Sequence, residues 1–485
     1  MIETYLNFSK EQLVEENINL KSINTFLKTE LDQLKRLIYG SRSERFQPAV
    51  NPEQTALALD IITIQPTPAE KETITYERTK STSSQTVHTG RNPLPAHLPR
   101  VEIILEPKQD VSGMKQIGKE ITEQLEFEPG TFFVNQFIRP KYAKSNGEGV
   151  IIAELPSRPI EKGIPGPGLL ASITIEKYAD HLPLYRQIER FRREGITIAP
   201  STMSDWIAAA AELIAPLHEA LKKKVLSSDY LQADETPIKV LDKDKKGKTH
   251  RGYYWVYRDV VSGFVLFDYR EGRGRDGPTD ILKDFEGYLQ TDGYGVYDSF
   301  DTKKITLLHC MAHARRGFEQ ALDNDHGRAE YALKEIQKLY LIEKHARENE
   351  LTHQQRYELR QKESIPVLEG LHHWLKNSIV EVLPKSSIGQ AIAYALPRWE
   401  KLMLYTRDGK LEIDNNLVEN SIRPIAIGRK NYLFAGSHAA AHRAAMIYSL
   451  LGTCKLKNVE PFAWLKNIFE VIPDYKANRL EELLP

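Results

Sequence analysis

The sequence is poor in cysteine and has no long apolar run. Its 485 residues include two cysteines, Cys310 and Cys454. Two thiols cannot build a disulfide framework, which favours a reducing compartment. No stretch reaches the roughly 20 apolar residues that span a bilayer, and the start of the chain lacks the pattern of a signal peptide. We therefore expect a cytoplasmic protein with no membrane partner.

The chain also lacks net charge, because 66 basic residues balance 66 acidic ones. Whole-chain charge therefore indicates no class of partner, and binding to nucleic acid would need a local basic patch. The length exceeds what a single core usually serves, so we expect several domains.

Residues 1–46 carry leucine at every seventh position, with Asn17 and Asn24 on the complementary seam. This pattern predicts a parallel two-stranded coiled coil, in which buried Asn pairs fix the register. The protein would then be a homo-oligomer. The alternative is an amphipathic helix that packs on its own chain. The repeating leucines are Leu6, Leu13, Leu20, Leu27 and Leu34.

Two segments of different composition follow. Residues 47–92 are rich in Pro, Thr, Ser and Gln, and they read as a linker because they have little apolar surface to bury. Residues 93–160 contain short runs of β-branched and aromatic residues, the longest at 131–138. These runs predict a small β module.

Residues 161–225 are predicted to be helical and to resemble a helix-turn-helix. One helix would end at Gly195, a turn would cover residues 196–200, and Ser201 would cap the next helix. Arginines on the first helix are candidate DNA contacts. The alternative is a helical hairpin inside a core. The candidate arginines are Arg186, Arg190 and Arg193.

Strand patterns dominate residues 226–322. Three strands, a short helix and two further strands are predicted, with Asp234 inside the first strand and Asp292 at the end of the fourth. This succession is the ribonuclease-H-like order. Carboxylates on neighbouring strands suit phosphoryl transfer with two metal ions held about 3.5–4 Å apart.

A third carboxylate is expected on a later helix. Residues 323–407 read as an all-helical insertion, and the core would resume at 408–440, followed by a C-terminal helical segment at 441–485. The candidate helix carries Asp414 as its N-cap and Glu419 further on. Spacing alone leaves Glu412 and Asp414 as rivals of Glu419. The fold class predicted is thus α+β and multidomain, with the β module and helical pair preceding a ribonuclease-H-like core.

Several segments resemble the large transposases of the insertion-sequence-sixty-six family, which belong to the Asp-Asp-Glu (DDE) class. The matching segments are Leu37-Ile-Tyr-Gly-Ser-Arg-Ser-Glu-Arg-Phe, Ala233-Asp-Glu-Thr-Pro, Gln290-Thr-Asp-Gly-Tyr, Ala312-His-Ala-Arg-Arg and Asn415-Asn-Leu-Val-Glu-Asn-Ser-Ile-Arg-Pro. The resemblance covers most of the chain. It implies a catalytic and metal-binding triad of Asp234, Asp292 and Glu419.

The resemblance also implies partners and a cofactor. Two Mg²⁺ ions are expected, with Mn²⁺ able to substitute. The expected partners are transposon-end DNA, target DNA and small accessory proteins of the element, so the protein would associate with the nucleoid when bound. Candidate phosphate contacts near the carboxylates are His313, Arg315, Arg316, Arg423, Arg429 and Lys430. His309 and Cys310 are instead expected to be buried strand residues.

One departure from the family concerns zinc. Family members carry paired cysteines around the module that ends in Arg-Pro-Lys-Tyr-Ala, whereas residues 108–149 contain no cysteine here. Because such a site needs thiolates, no zinc is expected.

Two other functions remain open from the sequence. One is a structure-selective nuclease of the same fold, which hydrolyses DNA without joining it. The other is a DNA-binding protein whose catalytic activity has decayed.

The heptad pattern makes a testable prediction about self-association. Replacing Leu20 and Leu27 by Lys places charges in the seam, so a peptide of residues 1–46 should change from dimer to monomer in sedimentation. Replacing Asn17 and Asn24 by Leu should strengthen association but admit other oligomers. A wild-type peptide that stays monomeric at high micromolar concentration would contradict the coiled coil.

Overall fold

The computed structural model describes residues 130, 132–138, 141–143, 150–152, 156–161, 163–241 and 248–485. The chain divides into two compact units, Met1–Thr131 and Phe132–Pro485, and the description below concerns the second. The predicted coiled coil, the linker and most of the predicted β module lie outside the described residues. Within the described part, no helix is both long and apolar enough to cross a bilayer.

A five-stranded mixed sheet forms the centre of the second unit. Two short strands, β1 and β2, precede it and pair with each other in antiparallel fashion. In the sheet, β3, β4 and β5 form an antiparallel meander, while β6 and β7 run parallel to β3, giving the order β5-β4-β3-β6-β7. The predicted succession of strands is confirmed. The strands are β1 (Lys141–Ala143), β2 (Val150–Ile152), β3 (Tyr230–Leu241), β4 (Thr249–Asp259), β5 (Phe264–Arg270), β6 (Gly287–Thr291) and β7 (Ile305–His309).

Helices cover the sheet and continue beyond it. The first three share one hydrophobic core with the strands and with the two C-terminal helices. The described α-helices are α1 (Pro167–Tyr178), α2 (Leu184–Arg193), α3 (Pro200–Leu226), α4 (Asp276–Leu282), α5 (Met311–Gln320), α6 (His326–Glu348), α7 (His353–Leu359), α8 (Ile365–Ser378), α9 (Ser387–Ala395), α10 (Trp399–Met403), α11 (Asn416–Tyr432), α12 (His438–Leu456) and α13 (Pro461–Val471).

The edge strand β5 is covered by α12 through side-chain hydrogen bonds. The Ser449 hydroxyl accepts a bond of 2.8 Å from the Phe267 amide, and the Thr453 hydroxyl accepts one of 3.3 Å from the Val265 amide. An edge strand otherwise offers its amide groups to other chains. These two helical side chains therefore close this edge of the sheet.

Two local predictions in the N-terminal part of this unit are wrong. Residues 132–138 form no strand: Phe133 and Val134 are 80% and 91% exposed. Only Phe132 finds a described apolar partner, the ring of Phe191 at 4.9 Å, and β-forming composition has little effect without a packed face. Ser201 is not an N-cap, because α3 begins at Pro200 and has no side-chain cap. Proline suits the first helical position because its missing amide needs no partner there.

Residues 323–407 are helical, as the sequence predicted. They comprise α6–α10 and intervening turns, and their apolar faces build a second core around Leu339, Leu371 and Trp399. This core extends to Tyr230 and Leu308 on the sheet. The helical insertion therefore packs directly on the sheet that carries the two aspartates.

A buried ion-pair network lies inside the insertion. The five N–H groups of Arg360 are all bonded, two to Glu343 and the others to the carbonyls of Tyr405, Asp408 and Leu411, at 2.7–2.9 Å. Arg356 then bridges Glu343 and Glu412. Burial alone would raise the pKa of Glu343, but the two arginines outweigh it and hold that pKa below its usual value.

The network predicts a strong dependence of stability on Arg360. Arg360→Lys keeps the charge but cannot reproduce the planar five-donor fork, so buried carbonyls lose their partners. We expect the free energy of unfolding to fall by about 3 kcal/mol, measured as a lower melting temperature. The exposed Arg407, changed to Lys, is the matched control. Equal melting temperatures for the two variants would contradict this role.

Candidate active site

Asp234 and Asp292 lie level with each other on neighbouring parallel strands. The ladder between β3 and β6 pairs Gln232 with Gln290, and each aspartate follows two residues later in its own strand direction. Adjacent strands are about 4.8 Å apart. Asp292 directly follows the last residue of β6, where Gly293 adopts a φ of +87° and turns the chain. The register therefore places the two aspartates at matching positions, Asp234 within β3 and Asp292 at the end of β6.

Buried amide side chains hold the helix α11 against these strands. Gln232 accepts a bond of 3.1 Å from the Val418 amide and donates one of 2.9 Å to the Asp414 carbonyl. Gln290 donates to the Glu412 carbonyl at 2.8 Å. Both glutamines are fully buried. Glu419 directly follows Val418. Gln232 and Gln290, which lie two residues before Asp234 and Asp292, therefore also position the third carboxylate.

The charges of neighbouring carboxylates act on Asp234. Burial raises the pKa of Asp234 to about 8, and the negative charges of Glu235, Asp292 and Glu419 add to that rise. A bond from the Glu235 amide to the Asp234 Oδ1, at 2.8 Å, opposes this rise. Asp234 thus lies in a cluster of like charges that a cation would stabilise.

The donor set fits a hard divalent cation, because carboxylate oxygens are what Mg²⁺ prefers. The side chains do not form a ready-made site as they stand. Over residues 163–241 and 248–485, no three His, Cys, Asp or Glu side chains are arranged to hold a metal. Asp234, Asp292 and Glu419 therefore remain predicted ligands.

The two rivals of Glu419 have other partners. Glu412 forms an ion pair with Arg356 at 2.8 Å. Asp414 is 9% exposed and accepts bonds from the Tyr340 hydroxyl and from Asn416. The predicted N-cap at Asp414 is wrong, since Asn415 occupies that position. Asp414 instead braces the chain just before the helix, and of the three candidates on this segment Glu419 is the one whose charge raises the pKa of Asp234.

Sequence reasoning missed Glu235 and Arg273. The Glu235 side chain is 3% exposed and accepts a bond of 2.7 Å from Arg273 Nε. The Arg273 guanidinium also stacks on the Tyr294 ring at 4.0 Å. Arg273 therefore bridges the residue after Asp234 and a residue just beyond Asp292. The adjacency of Glu235 to Asp234 was visible in the sequence, but its partner was not.

The residues of α5 differ in their surroundings. His313 Nε2 lies 4.0 Å from Glu419 Oε1, and burial, with the charge of Arg316, lowers the pKa of His313. This shift favours the neutral form of the imidazole. Arg315 pairs with Glu319 on its own helix at 3.0 Å, whereas Arg316 is exposed. His309 and Cys310 are buried, as predicted, although Cys310 is the N-cap of α5 rather than a strand residue.

The basic residues of α11 also differ in their exposure and contacts. Arg423 lies one turn after Glu419 and is exposed, as is Lys430. Arg429 is partly buried and donates to the Pro237 carbonyl on β3. Arg429 therefore joins α11 to the sheet, a role that the sequence did not suggest.

The contacts of the three arginines of α2 do not involve the carboxylate cluster. Arg190 pairs with Glu176 of α1, Arg186 donates to the Tyr185 hydroxyl at 3.0 Å, and Arg193 is exposed. Within the described residues, no hydrogen bond or ion pair links α2 to the three predicted catalytic residues. Their role as DNA contacts stays a prediction.

Comparison with known proteins gives the class. The profile described as "Transposase IS66 family" matches residues 162–443, more than half of the chain, so the protein is a transposase by class. Profiles described as "IS66 C-terminal element" and "Transposase C of IS166 homeodomain" match residues 449–485 and 27–103. The chain belongs to the IS66 transposase family, and this membership implies DNA binding.

Relatives of similar length support that membership. The uncharacterized protein y4qI of Sinorhizobium fredii (strain NBRC 101917 / NGR234) is 33% identical, over 97% of this chain and 90% of the relative. The uncharacterized protein y4jD of the same strain is 30% identical over 99% and 98%. No solved structure matches the chain.

The raised pKa of Asp234 predicts how stability depends on pH. The folded state binds this proton more tightly than an unfolded chain with a pKa of about 3.9, so stability falls as pH rises from about 4 to about 8. In buffer containing a chelator at pH 7, Asp234→Asn should therefore melt above the wild type, and the difference should shrink towards pH 4. The exposed Asp284→Asn is the control. An Asp234→Asn variant that melts no higher than this control would contradict the electrostatic account.

Proposed function

We propose that this transposase cuts and joins DNA by a DDE mechanism, using Asp234, Asp292 and Glu419 on a ribonuclease-H-like core. The observation that carries the proposal is the level placement of Asp234 and Asp292 on parallel neighbours, with Glu419 close enough to raise the pKa of Asp234. The sheet order supports it, because an antiparallel meander followed by two parallel strands is the ribonuclease-H-like arrangement.

The three carboxylates would hold Mg²⁺, with Mn²⁺ able to substitute. When bound, a metal pair supplies charge neutralisation for the attacking and leaving oxygens of an in-line displacement. The chain contributes rigidity, since Gln232 and Gln290 tie the strand ends to α11. Because Asp234 is buried, its carboxylate lies in surroundings of low dielectric constant, where the attraction between a carboxylate and a cation is stronger.

Neighbouring side chains have supporting roles in this proposal. His313, whose Nε2 lies 4.0 Å from Glu419 Oε1 and whose lowered pKa favours the neutral form, can accept or donate a hydrogen bond beside the ligand set. Exposed Arg423 lies one turn after Glu419, and exposed Arg316 lies close enough to His313 to lower its pKa. Both arginines are suited to phosphate. In the first reaction water cuts a transposon end and leaves a 3′ hydroxyl. In the second, that hydroxyl would attack the phosphorus of a target phosphodiester and displace the 3′ oxygen of the target strand, so no covalent enzyme intermediate is needed.

The proposed partners follow from this reaction. Transposon-end DNA and target DNA are the substrates, and two ends must be brought together, which favours a homo-oligomer. Small accessory proteins of the element are proposed as helpers.

A strand-joining assay with purified full-length protein, end DNA and Mg²⁺ tests the proposal. Asp234→Asn, Asp292→Asn and Glu419→Gln should each reduce cleavage and joining to background while end binding persists, because only the charge that holds the cation is removed. The exposed Asp284→Asn should retain activity.

Each other outcome points to a different function. Cleavage without joining by the wild type would favour the structure-selective nuclease. End binding with no cleavage in Mg²⁺ or Mn²⁺ would favour a decayed enzyme. Full activity in any of the three triad variants would remove that residue from the site.

A further inference from the structure

The helical insertion reaches the proposed active site at one point of the backbone. The hydroxyl of Tyr394, in α9, donates a hydrogen bond of 2.7 Å to the carbonyl of Asp292. Arg398 follows one helical turn later, and its guanidinium lies 4.4 Å from the centre of the Tyr394 ring. Two insertion side chains therefore stand against the residue proposed as the second metal ligand.

Gly293 shows how close this approach is. A Cβ added there would lie 3.0 Å from the Tyr394 hydroxyl and 3.2 Å from Arg398 Nε. The φ of +87° also favours glycine. Arg398 is thus held next to the backbone that immediately follows Asp292, rather than at an arbitrary place on the insertion.

The hydrogen bonding of Arg398 is incomplete. A guanidinium has five N–H donors, and among the described residues Arg398 makes one hydrogen bond, from Nη1 to the Tyr394 carbonyl at 3.2 Å. Its Nε is buried without a partner. In the same insertion, Arg360 makes five hydrogen bonds and Arg356 makes four, all to carboxylate or carbonyl oxygens. Arg398 is therefore oriented but not neutralised.

Other positive charge gathers around the same point. Arg316, exposed on α5, and Arg398 both lower the pKa of Tyr394 against the stronger, opposite effect of its burial. Lys401 lies on the next turn of the insertion and pairs with Asp301 at 3.1 Å. A planar, unfilled guanidinium in basic surroundings beside a carboxylate cluster is suited to a phosphate.

We propose that Arg398 is a DNA-contact residue, through which the helical insertion binds a backbone phosphate adjacent to the phosphodiester under attack. This inference rests on the proposed function, because it places DNA at Asp292. It assigns the insertion a direct part in substrate binding, through a residue that no sequence motif indicated.

The test uses the full-length protein and the same transposon-end duplex as the strand-joining assay. Arg398→Gln should weaken binding about tenfold, the usual scale for a lost hydrogen bond to a charged group. It should also reduce the slope of log affinity against log salt concentration by about one. Arg398→Lys should restore part of the affinity, since it keeps the charge. The exposed Arg407→Gln, on the same insertion, is the control and should change neither quantity.

A second measurement separates contact from structural support. Single phosphates near the cleavage point are replaced in turn by neutral methylphosphonate. At one position the wild type should lose affinity, whereas Arg398→Gln should lose nothing further, because both changes remove the same interaction. Additive losses at every position would overturn the proposal, as would an Arg398→Gln variant that binds like Arg407→Gln.

The outcomes distinguish this inference from the proposed function. A wild type that cuts and joins end DNA while Arg398→Gln behaves as the control leaves the DDE function intact and removes only the role of Arg398. A wild type that binds the duplex but never cuts it would overturn the DDE function. The methylphosphonate result would still decide whether Arg398 touches phosphate.

Discussion

The buried hydrogen bonds of Gln232 and Gln290 are the constraint on which the arrangement of the site depends. Both side chains are fully buried, so each polar atom needs a partner to offset its lost hydration. The two amides bond each other at 2.9 Å, and they bond the backbone of Glu412, Asp414 and Val418. The same two residues pair in the parallel ladder. One network therefore sets the level of two strands and the approach of the helix that follows them.

The helical insertion is integrated with this network rather than attached to it. Arg356 binds the Glu412 side chain while Gln290 binds its carbonyl. Arg360 holds the carbonyls of Tyr405, Asp408 and Leu411, the segment that leads to α11. On the other side, Tyr394 holds the carbonyl of Asp292. The insertion thus forms hydrogen bonds to the chain before Glu419 and to the backbone at Asp292. Its own folding is therefore coupled to the geometry of the site.

The site also illustrates a conflict between stability and function. Like charges gathered at a partly buried place disfavour the folded chain when no cation balances them. Arg273 offsets part of this repulsion by pairing with Glu235 and stacking on Tyr294. Arg273 does not neutralise the whole cluster, because the pKa of Asp234 remains raised. Such unbalanced charge is a common property of sites whose ligand arrives later.

The sequence alone determined the features that are periodic or local. Runs of apolar and aromatic residues identified the five strands, the position of Asp234 within an apolar strand marked it as unusual, and helix-forming composition identified residues 323–407. Local signals failed where packing prevailed. Residues 132–138 have a strand composition but no partner strand, and Ser201 and Asp414 are capping types beside helices that begin elsewhere.

Only the tertiary structure decided which polar residues act together. Spacing could not choose between Glu412, Asp414 and Glu419, because the first two are engaged by Arg356 and Tyr340, which are 56 and 74 residues away. The bond from the Val418 amide to Gln232 spans 186 residues, and Arg398 meets Gly293 across a whole domain of helices. The pattern of apolar residues is visible in a short stretch of sequence. Hydrogen-bond partners instead depend on how the fold brings distant segments together. The elements could therefore be read from the sequence, and the geometry of the site could not.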